Sequence, residues 1–512
     1  MAFIPRFSKF IFKIMKKLSF FLSALIAFGG SAFAQDNYTD TDYVKVVTDD
    51  GVEAAVATIN SSGVFDVFVM HDWSIANRLN KEGIKVNNYQ AADNNPLTWG
   101  AGGNITFDAW PTGIFSLQEH GLWQLGNNNE YDHHVKAFRI TWDEANQNGQ
   151  WWAGAYLNNT VARDFSHVNP DTHIHAIVYT DTDHQLYNWN VNFKFLRYDI
   201  PGGDDPNCAK MRLRQDYWDP NGLPWIGSMK GLSWGAIDIT IGQIEKLMVE
   251  SGLQFDYTRL NNNANFQHIL AIETPSGQGD SQFECKEAQF AIDGVYMYTP
   301  SHTEANTEVT AVKDDASDWY YATYSNTYSD VELQASGAEE IEVLNVNVSG
   351  NILDLTKRAN NWVARGEAVL VRTKAATFNA VPNNQCTLTP AADNLLVATP
   401  ALAATVKKDS NNNLYRLAYN NNSNKTGLGF YWGDAEGTLI NATPNKGYLK
   451  VPVAQAAAIQ GFAINPKPTH VEGIEIEDAS QLNEPVYDLS GRRVENPTSG
   501  FYLQAGKKII VK

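Results

Sequence analysis

Trp189-Asn190-Val191-Asn192-Phe193-Lys194-Phe195 is the stretch that decides the fold class. Trp189, Val191, Phe193 and Phe195 fall on one side of an extended chain, and Asn190, Asn192 and Lys194 on the other. A period of two is the mark of a strand with one buried face. Upstream stand Trp151-Trp152 and the run His173-Ile174-His175-Ala176-Ile177-Val178-Tyr179. Downstream, Phe290-Ala291-Ile292-Asp293-Gly294-Val295-Tyr296-Met297-Tyr298 has the β-branched and aromatic content of a sheet, with Ile292 and Val295 expected inside.

Working outward, Val64–Val69, Leu97–Gly100, Ile105–Trp110, Phe138–Trp142 and Trp151–Ala155 read as further short strands. Asn-, Gly- and Asp-rich turns separate them. Ser74 to Lys85 reads as a short amphipathic helix, and Ala236 to Met248 as a strand followed by a helix. Many short strands between turns indicate an all-β chain whose N-terminal part is a jelly-roll-like β-sandwich. Five hundred and twelve residues exceed one ordinary core, and 43% hydrophobic content suffices for several. The expected division is 1–34, 35–300, 301–465 and 466–512.

Eleven of the 14 Trp lie between Trp73 and Trp234, so the second segment differs in kind from the rest of the chain. The formal charge is −18, and −23 once residues 1–34 are removed, because that segment carries five basic residues and no acid. Such an acidic chain argues against nucleic acid or anionic lipid as a partner. Residues 1–34 read as a signal peptide with its effective start at Met15. Lys16-Lys17 precede the apolar run Leu18–Phe28, and Ala32-Phe33-Ala34 precede Gln35. That run is short for a membrane span. Of the three Cys, Cys208 and Cys285 can pair after export, or each can be a buried thiol; Cys386 is left over.

The order Leu79, Gly83, Val86, Asp93, Trp99, Trp110, Trp152-Ala153-Gly154, Thr172–His175 and Ile292–Tyr296 resembles secreted β-sandwich domains of Bacteroidota, similar in turn to carbohydrate-binding modules. The resemblance covers roughly 37–300 and implies a polysaccharide or glycoconjugate as partner. Residues 304–464 resemble a repeated β module found near the C-termini of such proteins, with a spacer or interaction role. It holds two half-patterns, 321–371 and 414–449, and its runs Asn411–Asn413 and Asn420–Asn422 read as turns. The tail looks like a type IX secretion sorting signal. It has Val486-Tyr487, the turn Gly491-Arg492, Gly500-Phe501-Tyr502-Leu503 and the basic strand opening at Lys507-Lys508. That implies the type IX machinery as a partner, a location on the outer-membrane surface or outside the cell, and upstream strands lent by the preceding module. Without the resemblance, the tail is an edge hairpin blunted by lysines.

A sugar offers the Trp-rich unit an apolar C–H face and a rim of hydroxyls. Trp rings serve the first, and Asp, Asn, His or Arg the second. Trp99, Trp110, Trp123, Trp218 and Trp225 stand beside Gly, Pro or Asn and are the expected glycan-binding residues; core packing is the alternative for each. His173 and His175 share a strand face and would suit zinc, with His71, Asp72, His133 and His134 as further ligands. Ile177 and Tyr179 continue that face, however, which favours core histidines. A structural calcium is the one candidate cofactor, with Asp40, Asp42 and Asp293 as oxygen ligands. Asp72, Glu119, Asp132, Asp143 and Glu144 would supply the carboxyl pair of a glycoside hydrolase, but no spacing singles out a pair and no catalytic residue is assigned. The expected function is non-catalytic glycan binding at the cell surface. The alternatives are a glycoside hydrolase or other polysaccharide-active enzyme, and a structural adhesin with no sugar site.

Overall fold

A computed structural model describes residues 301–465 nearly throughout, 338, 423–424 and 457–458 apart. Earlier it describes 43–46, 55, 58, 63–69, 85–87, 98–103, 105–108, 115–116, 136–142, 153–158, 165–180, 190–197, 208–214, 224–227, 234–258, 268–273 and 289–300. In the tail it describes 474–477, 485–488, 490–498, 500–504 and 507–511. The chain is all-β, in sheets that are mostly antiparallel. The helix expected over Ser74–Lys85 lies outside these residues except for Lys85, which opens the strand Lys85–Asn87.

The N-terminal part is built on two sheets. One has six strands in the order Trp225–Gly227, Ala209–Arg214, Asn190–Arg197, His268–Glu273, Ala153–Asn158, Thr98–Gly103. The other runs Val44–Val46, Trp234–Thr240, His173–Thr180, Gln289–Thr299, Val64–Val69, Lys85–Asn87, and Lys136–Trp142 also joins Gln289–Thr299. One face of this second sheet is core: Ile174, Ala176, Ile237, Ile239 and Met297 are all buried. The Tyr43 backbone N–H donates to the Ile226 carbonyl and ties the edges of the two sheets together.

The closing strand departs from simple alternation. Ile292 and Val295 stand three apart, which an unbroken strand places on opposite faces. A bulge intervenes: Asp293 pairs with Ile177, but Tyr296 pairs with His175, so the strand holds one extra residue. Gly294 sits there at φ 55°, and a Cβ on it would lie 3.1 Å from the Ile177 side chain, so glycine is required twice over.

Ala236–Met248 is strand then helix, as its pattern indicates. The strand ends at Thr240, which caps the helix Ile241–Glu250. The Gln243 N–H donates to Thr240 Oγ1 at 3.1 Å, and the Thr240 N–H donates to Gln243 Oε1 at 2.9 Å. This reciprocal pair satisfies two otherwise orphaned donors. The helix buries Ile241, Ile244 and Met248.

Residues 307–382 form a four-stranded and a five-stranded sheet, and 396–463 a five-stranded and a two-stranded sheet. The two half-patterns share one core, in which Tyr321, Leu344 and Leu370 pack with Tyr415, Phe430 and Leu449. The Asn runs correct the sequence reading. Asn412–Asn422 is a single strand, paired with Lys425–Trp432 and Gly447–Pro452, and only Asn411 belongs to a turn. Asn413 is buried and its amide donates to the Ala456 carbonyl at 2.9 Å, so ladder and side-chain hydrogen bonds override turn propensity.

The tail is a sheet of its own, in the order Ile474–Glu477, Lys507–Val511, Gly500–Gln504, Val486–Tyr487, Arg493–Val494. Its fifth strand comes from residues 474–477 and not from the preceding module. Gly491 turns the chain at φ 84°, and the Asp488 carboxylate accepts from the backbone N–H of Ser490 and of Arg492, each at 2.9 Å.

Candidate functional site

Trp110, Trp123, Trp218, Asp40 and Asp42 lie outside the described residues, as do Asp72, Glu119, Asp132, Asp143 and Glu144. Asp293 is described as a strand position beside the bulge. Trp99 and Trp225 lie on the two edge strands of the six-stranded sheet. They cannot form one platform there, because the register assigns them to opposite faces. Trp99 pairs with Leu157, Leu157 with Leu270, Leu270 with Phe195, and Phe195 with Ala209. Ala209 and its face-mate Met211 are fully buried, and Trp99 shares their face by register.

Trp225 belongs to the other face. It pairs with Arg212, Arg212 with Asn192, and Asn192 with Glu273. The four positions make one cross-strand row, roughly 14 Å long at about 4.8 Å per strand. Trp225 is half-buried, and Lys210, on the same face, is half-buried as well. The adjoining positions are Asn190 opposite Arg214, Lys194 opposite Lys210, and Tyr156 opposite Gly100. Toward the Thr98–Gly103 edge the row continues through Gly154 and Gly102. By residue type the row reads Trp, Arg, Asn, Glu, Gly, Gly across the sheet. The sequence shows that Asn190, Asn192 and Lys194 share a face. It does not show that Glu273, Arg212 and Trp225 join them, since that depends on register between strands far apart in the chain.

His173 and His175 form a different arrangement on the second of the two N-terminal sheets. The His175 ring stacks on Tyr296 at 4.1 Å between centroids, and His173 on Tyr298 at 4.3 Å. His175 is buried, and its Nδ1 lies 2.8 Å from the Gly294 carbonyl, as a donor would. His173 Nδ1 lies 2.6 Å from Asp238 Oδ1, while the Tyr298 hydroxyl donates to Asp238 Oδ2 at 2.8 Å. Burial pushes the Asp238 carboxyl up, but the hydrogen bond from His173 and the charges of both histidines outweigh it and hold the group below the usual carboxylate range. Burial and the neighbouring Asp238 charge keep Tyr298 protonated. Both histidines thus have packed rings and an engaged Nδ1, the behaviour of structural residues. Among the described residues no group of three or more His, Cys, Asp or Glu is placed to hold a metal ion. Asp238 and Tyr298 escape the sequence reading, although Tyr298 lies in the closing strand that it singles out.

A third arrangement lies where the Ile241–Glu250 helix meets the 301–465 unit. The backbone N–H groups of Ala401 and Thr405 donate to Glu245 Oε2 at 3.0 Å and Glu250 Oε1 at 3.3 Å. The Tyr257 hydroxyl donates to the Thr327 carbonyl at 3.1 Å, and the Arg365 guanidinium donates to the Val168 carbonyl. His302 stacks on Tyr328 at 4.0 Å, and both bond to Asp171. A cleft of about 470 Å³ opens along this seam, lined by Glu245, Phe255, Tyr257, Lys407, Tyr448 and Lys450 among others. Burial pushes the Glu245 carboxyl up to about 8, so it is neutral at pH 7. Cys208 is buried; its candidate partner Cys285 lies outside the described residues.

Among the described residues no helix is long and apolar enough to cross a membrane. No family model and no curated protein matches the chain. Among solved structures it is similar to the N-terminal CBM22-1–CBM22-2 tandem domain from Paenibacillus barcinonensis Xyn10C, at 10% identity and a TM-score of 0.20, over 57% of this chain and 86% of that one. So loose a likeness carries no argument about what this chain binds.

Proposed function

We propose that the chain is an exported, non-catalytic glycan-binding protein that holds polysaccharide on the polar face of its six-stranded sheet. The observation that carries this reading is the row Glu273–Asn192–Arg212–Trp225, which sets hydrogen-bonding residue types in line with an indole. Covering about 50 Å² of indole contributes only about 1 kcal/mol at ~25 cal/mol per Å². A charge-assisted hydrogen bond from Arg adds roughly 1.5–3 kcal/mol. A few such contacts give roughly micromolar to millimolar binding, enough for a module that works by repeated attachment. Residues 1–34 direct export in this reading, and the tail sheet serves as a type IX sorting signal that brings the protein to the cell surface. The residue pattern of that tail and its separate five-stranded sheet support the assignment.

The test is a glycan-array screen with residues 35–512, followed by titration with tryptophan fluorescence and an assay for reducing ends. Saturable binding without sugar release is expected. Release of reducing sugar would move the protein among the hydrolases, and silence across plant, host and microbial glycans would favour a structural adhesin.

A further inference from the structure

The polar face has a charge that the whole chain does not share. The protein carries 57 acidic against 39 basic residues. Yet the paired positions of this face hold Lys194, Lys210, Arg212 and Arg214 against Glu273 alone. Lys210, Arg212 and Arg214 follow one another along a single strand, at spacings of about 6.8 Å. Lys194 stands directly opposite Lys210 on the neighbouring strand. Like charges directly opposite each other destabilise a sheet, so this arrangement opposes folding unless something else uses it. By register the opposite face of the same two strands takes Val191, Phe193, Phe195, Met211 and Leu213, with Arg197 at the strand end as its one cation, so four of the five cations fall on one side.

We infer that this face takes an anionic polysaccharide, one whose repeating units bear carboxylate or sulfate groups. The inference rests on the glycan-binding reading above and narrows it. Regularly spaced cations suit a polymer that presents an anion on successive sugars, and Arg pairs such oxyanions with two parallel hydrogen bonds. Trp225, Asn192 and Glu273 serve the uncharged parts of the same ligand, the C–H faces and hydroxyls. The negative remainder of the protein repels polyanions elsewhere and so confines them to this strip.

The experiment uses the mature chain, residues 35–512, against matched pairs of polymers: polygalacturonate and its methyl ester, alginate and its propylene glycol ester, dextran sulfate and dextran, with mixed-sequence duplex DNA alongside. Binding to one or more acidic members is expected, at least roughly tenfold tighter than to the neutral partner, a gap of about 1.4 kcal/mol. It should weaken as salt rises from about 0.05 to 0.5 M, as exposed charge pairs are screened. The uronate and sulfate arms identify which anion is read. The R212Q and K210Q variants should each lose severalfold in affinity for the acidic polymer, with the melting temperature unchanged in R212Q and slightly raised in K210Q, which relieves the Lys194–Lys210 repulsion. If a variant melts early, the wild-type comparison of charged with neutral polymer still decides. Equal binding of charged and neutral members overturns the inference and leaves the glycan reading standing. DNA bound as tightly as the best polysaccharide overturns it in favour of a general polyanion site. No binding to any polysaccharide overturns both.

Discussion

Ala401 donates its backbone N–H to Oε2 of Glu245 across 3.0 Å, joining the helix of the first unit to the second. Burial raises the Glu245 carboxyl to about 8, while an unfolded Glu titrates near ~4.3. A carboxyl raised in the folded state stabilises fully below its unfolded pKa. Its contribution declines as pH climbs from about 4.3 to 8 and is gone above that. Calorimetry should therefore show melting of the docked pair falling between pH 5 and 8, with Glu245→Gln flattening that part of the slope. A Gln variant that falls as steeply as the wild type would show that the slope has another source.

The buried His175 is a packing residue in this structure. His175→Ala removes a ring stacked at 4.1 Å and the hydrogen bond to Gly294. The loss should be about 2–4 kcal/mol by chemical denaturation. Added zinc should leave the wild-type melting temperature where it is. A saturable zinc-induced rise would instead reinstate the metal reading of His173 and His175.

Trp225 and Trp99 should respond differently to truncation. Trp225→Ala should cut polysaccharide affinity by roughly fivefold or more, a loss of about 1 kcal/mol. Trp99→Ala removes a residue from the row of Leu157, Leu270 and Phe195 and should act on stability, by roughly 3 kcal/mol. Denaturation curves beside binding isotherms separate the two effects.

Deletion of residues 486–512 should abolish surface display and leave the melting of 301–465 unchanged, because the core of that unit is complete without the tail. Gly491→Ala is a milder probe. At φ 84° with nothing within 4 Å of a new Cβ, its cost is the backbone term alone, about 1–2 kcal/mol within the tail sheet. Display measured by cell-surface labelling reads both variants.

Calcium remains an expectation for Asp40, Asp42 and Asp293. If it is structural, EDTA should lower the melting temperature of the first unit, and calcium restore it. Indifference to EDTA would remove the metal from the account.

The fold class was legible because Val191, Phe193 and Phe195 alternate cleanly with Asn190, Asn192 and Lys194. The capping pair Thr240–Gln243 likewise marks where strand becomes helix. The bulge at Gly294 was not legible, since a single glycine in a strand does not reveal which residue becomes unpaired. The Asn412–Asn422 strand was not legible, because local turn preference carries no trace of the partner strands that outvote it. The candidate face was half legible. Its Asn and Lys positions declare themselves by parity, but Glu273, Arg212 and Trp225 reach the same row only through pairing across long separations.

Within the seam, the contact between the Ile241–Glu250 helix and residues 401–405 has a lopsided mutational grammar. On one side the determinants are side chains, Glu245 and Glu250, and a single substitution can erase either. On the other side they are main-chain N–H groups at Ala401 and Thr405, which nineteen of the twenty amino acids provide. Positions 401 and 405 can therefore drift in sequence while keeping this grip, with proline as the one forbidden letter, and Glu245 and Glu250 cannot. Over evolutionary time the record of this contact should be written almost entirely in the helix.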